Sequence, residues 1–451
     1  MQNIILNNME KLALDMLSGR GFSAYVVGGG VRDRLMGKMP LDTDITTSAR
    51  PEQVKHVFCD YKVIETGIKH GTVTVIIDNT PLEITTFRTD GEYKDNRHPE
   101  NVNFACCIED DLSRRDFTIN AIAYNESDGL VDLFGGSHDI KSKIIKCVGN
   151  PKKRFTEDAL RIMRAVRFAA TLDFEIEPDT ATAMRECSHL LKNISEERIF
   201  AELKKLLCGK AAGKVLRQYS FVIEQIIPEL SKSIGFLQHN PHHIYDVYTH
   251  TAMAVDAIKP EPLLRIAALL HDVEKPACFT LDNKGIGHFI GHAPLSAKTA
   301  REILCRLKAD KFTRERVCLL IQHHNDVIDN NPRKLARLLR SLGKDALFEL
   351  LDLRDADNSA KTEKEIKNLE HTALMRKTVN RLIFEQACID IKQLDIDGDK
   401  LMALGVPKGE KIGMILQKLL DAVIDGRIEN NNTALTNYVI SQISGDGNGK
   451  M

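Results

Sequence analysis

The sequence predicts a small α/β head, in which a mixed sheet is flanked by helices, followed by a mostly all-α elongated body. Three observations carry this. Short β-rich runs at Tyr25 to Val27, Leu41 to Ile45, Thr72 to Ile77 and Leu82 to Phe87 are broken by Gly, Asn and Pro. From about Thr156 onward the apolar pattern turns almost wholly helical. At 451 residues the chain also exceeds what one hydrophobic core organises, so several domains are expected.

In chain order, residues 1 to 18 read as an amphipathic helix with Ile5, Met9, Leu12 and Met16 near helical spacing. The run Tyr25 to Val27 then enters Gly28-Gly29-Gly30-Val31-Arg32-Asp33. The glycines let the backbone approach a phosphate closely, and the helix that follows offers N-terminal amides and Arg32 to a triphosphate. Next comes Leu41-Asp42-Thr43-Asp44-Ile45. Side chains alternate along a strand, so Asp42 and Asp44 project from one face while Leu41, Thr43 and Ile45 project from the other. Paired carboxylates suit Mg²⁺, which can activate an attacking hydroxyl and steady a pyrophosphate leaving group. Glu83, on the run Leu82 to Phe87, is a candidate third carboxylate. The polar stretch Thr89 to Val102, with Asp95, Arg97, His98 and Pro99, lacks apolar periodicity and reads as a mobile loop. Cys106 and Cys107 read as small packing residues.

Residues 141 to 167 are rich in Lys and Arg, including Lys152, Lys153, Arg154, Arg161 and Arg164, against only Glu157 and Asp158. Such a patch could follow phosphates. If Asp158 and Arg161 share a helix they lie about 60° apart around its axis and can meet one base edge. A carboxylate accepts from an exocyclic amine and a guanidinium donates to a ring nitrogen, which fits cytosine and adenine and rejects guanine and uracil.

Together with Arg114-Arg115-Asp116-Phe117-Thr118-Ile119-Asn120-Ala121 and Glu157-Asp158-Ala159-Leu160-Arg161-Ile162-Met163-Arg164, these segments resemble the class II tRNA nucleotidyltransferase and bacterial poly(A) polymerase superfamily. The likeness is greatest to CCA-adding enzymes and runs from the N-terminus to about residue 440. It implies that Gly28 to Asp33 with Asp42 and Asp44 form the catalytic motif, and that Arg115 and Asp116 contact phosphates and sugar. It further implies that Asp132-Leu133-Phe134-Gly135-Gly136 and Asp139 form a hinge, that Glu157 to Arg164 select the base, and that Ser195-Glu196-Glu197-Arg198-Ile199 form a neck. Asn120 falls within the ribose motif; Arg198, with Lys152, Lys153 and Arg154, is a candidate RNA contact. The implied activity is addition of C, C and A to tRNA 3′ ends from CTP and ATP, and the loop before Val102 would help switch from C to A. The competing readings are an A-adding enzyme or poly(A) polymerase, and an RNA-end phosphohydrolase or RNA-binding protein with an inactive head.

His250, His271, Asp272, His292, His323-His324 and Asp357 form a second spaced set of metal ligands in the helical half. Imidazoles with carboxylates suit a transition metal, and the neighbouring apolar residues favour His324 over His323. The set resembles the HD phosphohydrolase domain, which implies water activation against a phosphomonoester or a 2′,3′-cyclic phosphate at RNA ends. Glu274 stands where that family usually has Gly, and a larger acidic group there is expected to alter the metal or close the site. Asp395-Ile396-Asp397-Gly398-Asp399 lacks a full calcium-loop ligand run and reads as a helix-capping turn. The turn Gly405-Val406-Pro407-Lys408-Gly409 lies in a segment resembling a tRNA-contacting tail, and the Gly-rich end near residue 445 reads as frayed.

The expected division is a head over 1–138, a neck and body over 139–235, an HD-type domain over 236–360 and a tail over 361–451. Composition supports ordinary globular domains: 43% of residues are apolar, 28% charged, and 62 basic side chains meet 63 acidic ones. Nucleic-acid contact must then come from local patches. Ten cysteines without a Cys-x-x-Cys pair, and no secretory leader, fit a reducing cytoplasm. No apolar run reaches the roughly 20 residues of a membrane helix, so no membrane partner is expected.

Overall fold

Short runs of Val, Ile and Thr build the sheet that carries the first site. Its strands are β1 (Ala24–Val27), β2 (Asp44–Thr47), β3 (Lys62–Ile64), β4 (Thr72–Ile77), β5 (Thr80–Thr86), β8 (Ala123–Asn125) and β9 (Gly129–Val131); β6 (Arg88–Asp90) and β7 (Val102–Phe104) pair separately. The order across the main sheet is β3-β4-β5-β2-β1-β8-β9. The pair β2 and β5 is parallel, while β1 runs antiparallel to both β2 and β8, so the sheet is mixed. Val27 stands opposite Asp44, which brings the end of β1 and the start of β2 to the same edge. Tyr25, Val27, Phe87, Ile108, Leu112 and Ala123 pack as one buried cluster on the sheet.

The computed structural model describes residues 4–446 except 41, 66, 69, 70, 91–101, 106, 364, 366, 386 and 387. Most of the expected loop, including Asp95, Arg97, His98 and Pro99, therefore lies outside the described residues, as do Leu41 and Cys106. Strand β2 differs from the expected Leu41 to Ile45: the ladder starts at Asp44 and continues through Thr46 and Thr47. These buried threonines sustain a strand because their hydroxyls are satisfied, Thr47 Oγ1 donating to Ser23 O at 2.8 Å and Thr46 Oγ1 to Thr85 O at 3.2 Å.

The chain divides into two units, Met1–Lys232 with Ile303–Ala309, and Ser233–Glu302 with Asp310–Met451. In the first, α1 (Asn8–Ser18) begins at a capping box between Asn7 and Glu10. After it come α2 (Gly29–Leu35), α3 (Pro51–Val57), α4 (Ile108–Ser113), α5 (Gly136–Ser142), α6 (Pro151–Glu157) and α7 (Leu160–Leu172). Proline opens α3 and α6, where a missing amide costs nothing. The unit continues with α8 (Pro178–Cys187), α9 (Glu196–Leu207), α10 (Ala212–Gln218) and α11 (Ser220–Ile226).

The second unit is helical, with α12 (Val247–Ala257), α13 (Pro262–Leu270), most of α14 (His292–Arg306), α15 (Lys311–His323), α16 (Pro332–Leu342), α17 (Lys344–Ser359) and α18 (Lys367–Phe384). Beyond them α19 (Gly398–Ala403), α20 (Glu410–Ile424) and α21 (Asn432–Asp446) close around Leu401, Leu419, Leu420 and Leu435. Asp397 caps α19 by accepting from Lys400 N, and Asp395 binds Asn432, so the acidic run serves as a turn. Helix α21 runs to Asp446, and the rest of the Gly-rich end lies outside the described residues.

Candidate functional site

The turn after β1 and the start of β2 assemble the head site. Gly28 has φ 65° and ψ −129°, a conformation essentially reserved for glycine, and a Cβ there would lie 3.0 Å from Nη1 of Arg115. A Cβ on Gly30 would meet the Asp42 carbonyl oxygen at 3.6 Å, so the glycine turn runs beside the Asp42 backbone. Gly29 and Gly30 open α2, which also holds Arg32. Asp44 and Glu83 are partners in the parallel β2 and β5 register, so both side chains leave the same face. Desolvation by surrounding protein raises the Asp44 pKa, Arg115 opposes that rise and Asp42 adds to it. Glu83 is raised first by desolvation, then by Asp44 and Asp42. Carboxylates that resist ionising together are a donor set that a hard divalent cation completes.

Beside this edge, Asp116 anchors a network. Its Oδ1 accepts from Phe117 N at 2.8 Å and Asn120 Nδ2 at 3.2 Å, while Oδ2 accepts from Arg164 Nε at 2.7 Å. Asn120 Oδ1 in turn accepts from Arg32 Nη1 at 2.8 Å. Burial would raise the Asp116 carboxyl, but Arg164 and the Asn120 hydrogen bond outweigh it and hold the pKa at about 2. The guanidiniums of Arg167, Arg32 and Arg164 stand 3.7, 5.2 and 5.4 Å from the Phe168 ring centroid. Arg32, Arg115, Asp116, Asn120 and Arg164 are thus gathered around the glycine turn. Asp111, Phe168 and Glu202 belong to the same arrangement and were not anticipated. Fully buried Asp111 accepts from Arg114 Nη2 at 2.7 Å and Arg115 Nη2 at 3.0 Å.

Asp158 and Arg161 do not share a helix. α6 ends at Glu157, Asp158 is extended at φ −136° and ψ 104°, and α7 starts at Leu160. Asp158 Oδ1 accepts from Leu160 N at 3.0 Å, so it ends α6 and its side chain holds the turn into α7. Its Oδ2 accepts from Arg198 Nη2 at 3.0 Å. Arg161 instead donates to Glu157 Oε2 at 2.7 Å and to Arg114 O at 3.1 Å. The expected 60° offset on one helix face is therefore replaced by Asp158 in the turn between the helices and Arg161 in the first turn of α7.

The basic stretch divides in a way its composition does not show. Lys152 and Lys153 are exposed, with Lys152 Nζ 3.1 Å from Glu186. Arg154 turns inward, donating to Val148 O, Glu157 and Ser113 O. Arg164 and Arg167 pair with Asp116 and Glu202. The arginines pin the fold, and the lysines are left to solvent.

In the second unit, His250, His271, Asp272 and Asp357 offer ligand atoms all within 4.8 Å of one another, as do Asp272, His292 and His324. All six are buried. Each imidazole has the same orientation device: Nδ1 donates to a backbone carbonyl, His250 to Ala360 at 3.1 Å, His271 to Ala268 at 2.7 Å, His292 to Phe289 at 2.7 Å and His324 to Ile321 at 2.6 Å. This turns the four Nε2 atoms inward, the usual second layer of support for a metal-binding histidine. His292 and His324 bring Nε2 atoms to 3.3 Å of each other. His271 Nε2 and both Asp272 oxygens lack a partner in hydrogen-bond geometry, although Lys275 Nζ stands 2.7 Å from Asp272 Oδ2. Burial works against charge on His271, yet Asp272 and Asp357 push its pKa up to about 9, whereas at His250 and His324 burial outweighs the carboxylates and lowers both.

A cavity of about 230 Å³ opens onto this cluster, lined among others by His243, Lys275, Asn325 and Lys361. His323 pairs outside it with Asp326 at 2.7 Å. Glu274 does not close the site: its Oε1 accepts from Thr299 Oγ1 at 2.7 Å, and it is absent from the cavity lining. Lys275 and Lys361, paired with Asp272 and Asp357, were not anticipated; their only signal was a position three or four residues after each aspartate.

The mixed sheet, glycine turn and carboxylate edge define the class. Residues 24–146 match the family model for the poly A polymerase head domain, residues 173–233 the model "Probable RNA and SrmB-binding site of polymerase A", and residues 282–439 that for tRNA nucleotidyltransferase domain 2. The chain is 34% identical to a CCA-adding enzyme of Streptococcus gordonii, over 94% of this chain and 95% of that one. A Ligilactobacillus salivarius CCA-adding enzyme is 50% identical over 206 residues, 46% of this chain and 50% of that one. The structure is similar to that of the Bacillus stearothermophilus CCA-adding enzyme in complex with CTP, with a TM-score of 0.75 and 27% identity, covering 99% of this chain and 100% of that one. The chain belongs to the CCA-adding enzyme family. Among the described residues no helix is long and apolar enough to cross a membrane.

Proposed function

We propose that this chain adds C, C and A to the 3′ end of tRNA from CTP and ATP, without a nucleic-acid template. The observation that carries this is the register of Asp44 with Glu83 beside Asp42 and the Gly28 turn, in a chain of this family. Asp42, Asp44 and Glu83 would hold Mg²⁺, which when bound activates the terminal tRNA hydroxyl and neutralises charge on the leaving pyrophosphate. The chain's own residues align the reactants, so their contribution is positioning and preorganised charge. Gly28, Gly29 and Gly30 admit the triphosphate close to the backbone, with Arg32 and Arg115 supplying positive charge. Asp116 and Asn120 orient the sugar, and Arg164 keeps Asp116 ionised. Asp158 and Arg161 read the base edge, for which Asp158 leaves Arg198 and Arg161 leaves Glu157. Lys152 and Lys153 face tRNA phosphates, recognising an A-form backbone by shape. The four-part division at 138, 235 and 360 would separate these tasks.

Incubation with tRNA lacking CCA, given CTP, ATP or both, tests the reading: three additions are expected with both nucleotides. A single A or an unbounded A tail would identify an A-adding enzyme or poly(A) polymerase instead. Undiminished CTP incorporation by Asp42→Ala would remove the head from catalysis.

A second reading is favoured by the convergence of four Nε2 atoms and two carboxylates: the helical unit is a metal-dependent phosphohydrolase site. The orphaned Asp272 oxygens and His271 Nε2 fit a borderline transition metal. His250, His271, Asp272, His292, His324 and Asp357 would hold it, and a metal there generates hydroxide for attack on a phosphoester. Elemental analysis of protein purified without chelator should show stoichiometric zinc, iron, manganese or cobalt; protein that stays free of these metals on reconstitution contradicts it.

A further inference from the structure

One carboxylate outside the candidate site ties together two of the segments that shape it, the glycine turn with α2 and the start of β2. Glu10, on α1, is fully buried. Its Oε1 accepts from Thr43 Oγ1 at 2.6 Å and Arg34 Nη2 at 2.7 Å, and its Oε2 from the same Arg34 nitrogen at 2.6 Å and from Asn7 N at 2.8 Å. Thr43 is the residue between Asp42 and Asp44. Arg34 lies at the end of α2, and its Nη1 donates back to Gly30 O at 3.1 Å, inside the glycine turn.

A buried ionised carboxylate is costly unless its lone pairs are filled, and here four hydrogen bonds fill them. The location gives the arrangement its meaning. The β2 ladder starts at Asp44, so Asp42 stands outside the strand register that holds Asp44 against Glu83. The Thr43 hydroxyl is the side-chain tether between the two aspartates, and Glu10 connects it rigidly, through Arg34, to the turn where Gly30 approaches the Asp42 carbonyl.

We infer that Glu10 and Thr43 are positioning residues that set the separation of Asp42 from Asp44, and thereby the divalent-cation affinity of the head. This rests on the reading of Asp42 and Asp44 as cation ligands. Partners of ligating groups typically alter metal affinity 10- to 100-fold, and Thr43 acts on both carboxylates through the backbone.

The test compares Thr43→Val, Thr43→Ser, Glu10→Gln and Asp42→Ala. Mn²⁺ binding is followed by electron paramagnetic resonance in the Asp272→Ala background, which lacks the carboxylate common to both ligand groups of the helical unit, and CTP incorporation is titrated with Mg²⁺. Thr43→Val removes only the hydroxyl at nearly constant shape; it should weaken Mn²⁺ binding and raise the Mg²⁺ midpoint about tenfold, with little change in kcat at saturating Mg²⁺. Thr43→Ser should restore both. Glu10→Gln should follow Thr43→Val, but it also disturbs Arg34, so Thr43→Val decides the matter if Glu10→Gln does not fold. Unchanged Mn²⁺ and Mg²⁺ midpoints in folded Thr43→Val overturn the inference. Loss of head-site Mn²⁺ binding in Asp42→Ala with a normal Thr43→Val would leave the ligand reading standing and reject the tether alone, whereas unaltered binding in Asp42→Ala would reject the ligand reading itself.

Discussion

Asp116→Asn removes one negative charge from the network that joins α2, the 118–120 turn and α7. In the folded chain the carboxyl is held at about 2 against an ordinary 3.8. At about 1.4 kcal/mol for each tenfold change in proton affinity, this is worth about 2 kcal/mol. Because the folded value is the lower one, the stabilisation is fully present above about pH 4 to 5 and is lost as the pH falls through 2. The substitution should therefore cost the head about 2 kcal/mol at pH 7 and about 1 kcal/mol at pH 3, so that the acid limb of the variant is flatter. A chain of two units need not unfold in one step. The assay is thus urea unfolding with pulsed hydrogen exchange, read on peptides covering 113–125 and 160–172. An equal loss at pH 7 and pH 3, or no loss at pH 7, would show that the Arg164 pair does not control the ionisation of Asp116.

Two other substitutions probe separate places. A Cβ on Gly136 would lie 2.1 Å from the backbone oxygen of Thr118, so Gly136→Ala must move the backbone between the head and α5; a loss of about 3 kcal/mol or more is expected in urea unfolding of the head peptides, and a stable variant would mean that this contact yields easily. On the second reading proposed above, Asp272→Ala, which removes the carboxylate shared by both ligand groups, should abolish transition-metal content and any phosphatase turnover while sparing CTP incorporation; equal loss of both activities would refute separate sites.

What could be read from the sequence was whatever is local or regularly spaced. Asp42 and Asp44 are two residues apart and follow a glycine triplet, and the histidines and aspartates of the helical unit sit beside recognisable apolar helices. Pairings across long separations were not readable: Glu10 meets Thr43, Asp116 meets Arg164, and Arg167 meets Glu202. Nothing about an isolated Glu or Asp announces that it is buried. The helix break at Asp158 was hidden for a different reason: α6 is short and mostly polar, with Phe155 its one buried residue, so no apolar pattern marks where it ends and α7 begins. The three-residue strands β3, β8 and β9 are too short for alternation to identify. The inward arginines of residues 154–167 were counted as surface charge because composition carries no direction.

For three of the four rings in the helical cluster, the carbonyl that receives Nδ1 belongs to the residue three positions earlier in the same turn: Ala268, Phe289 and Ile321. Ring attitude is then a property of each short peptide segment rather than of the assembled bundle. Helices that breathe apart would carry their imidazoles away still facing the right way, and on closing again would present the same nitrogen without a search through ring flips. If a metal is held there, as proposed above, these three rings would need to change their distance from it but not their attitude.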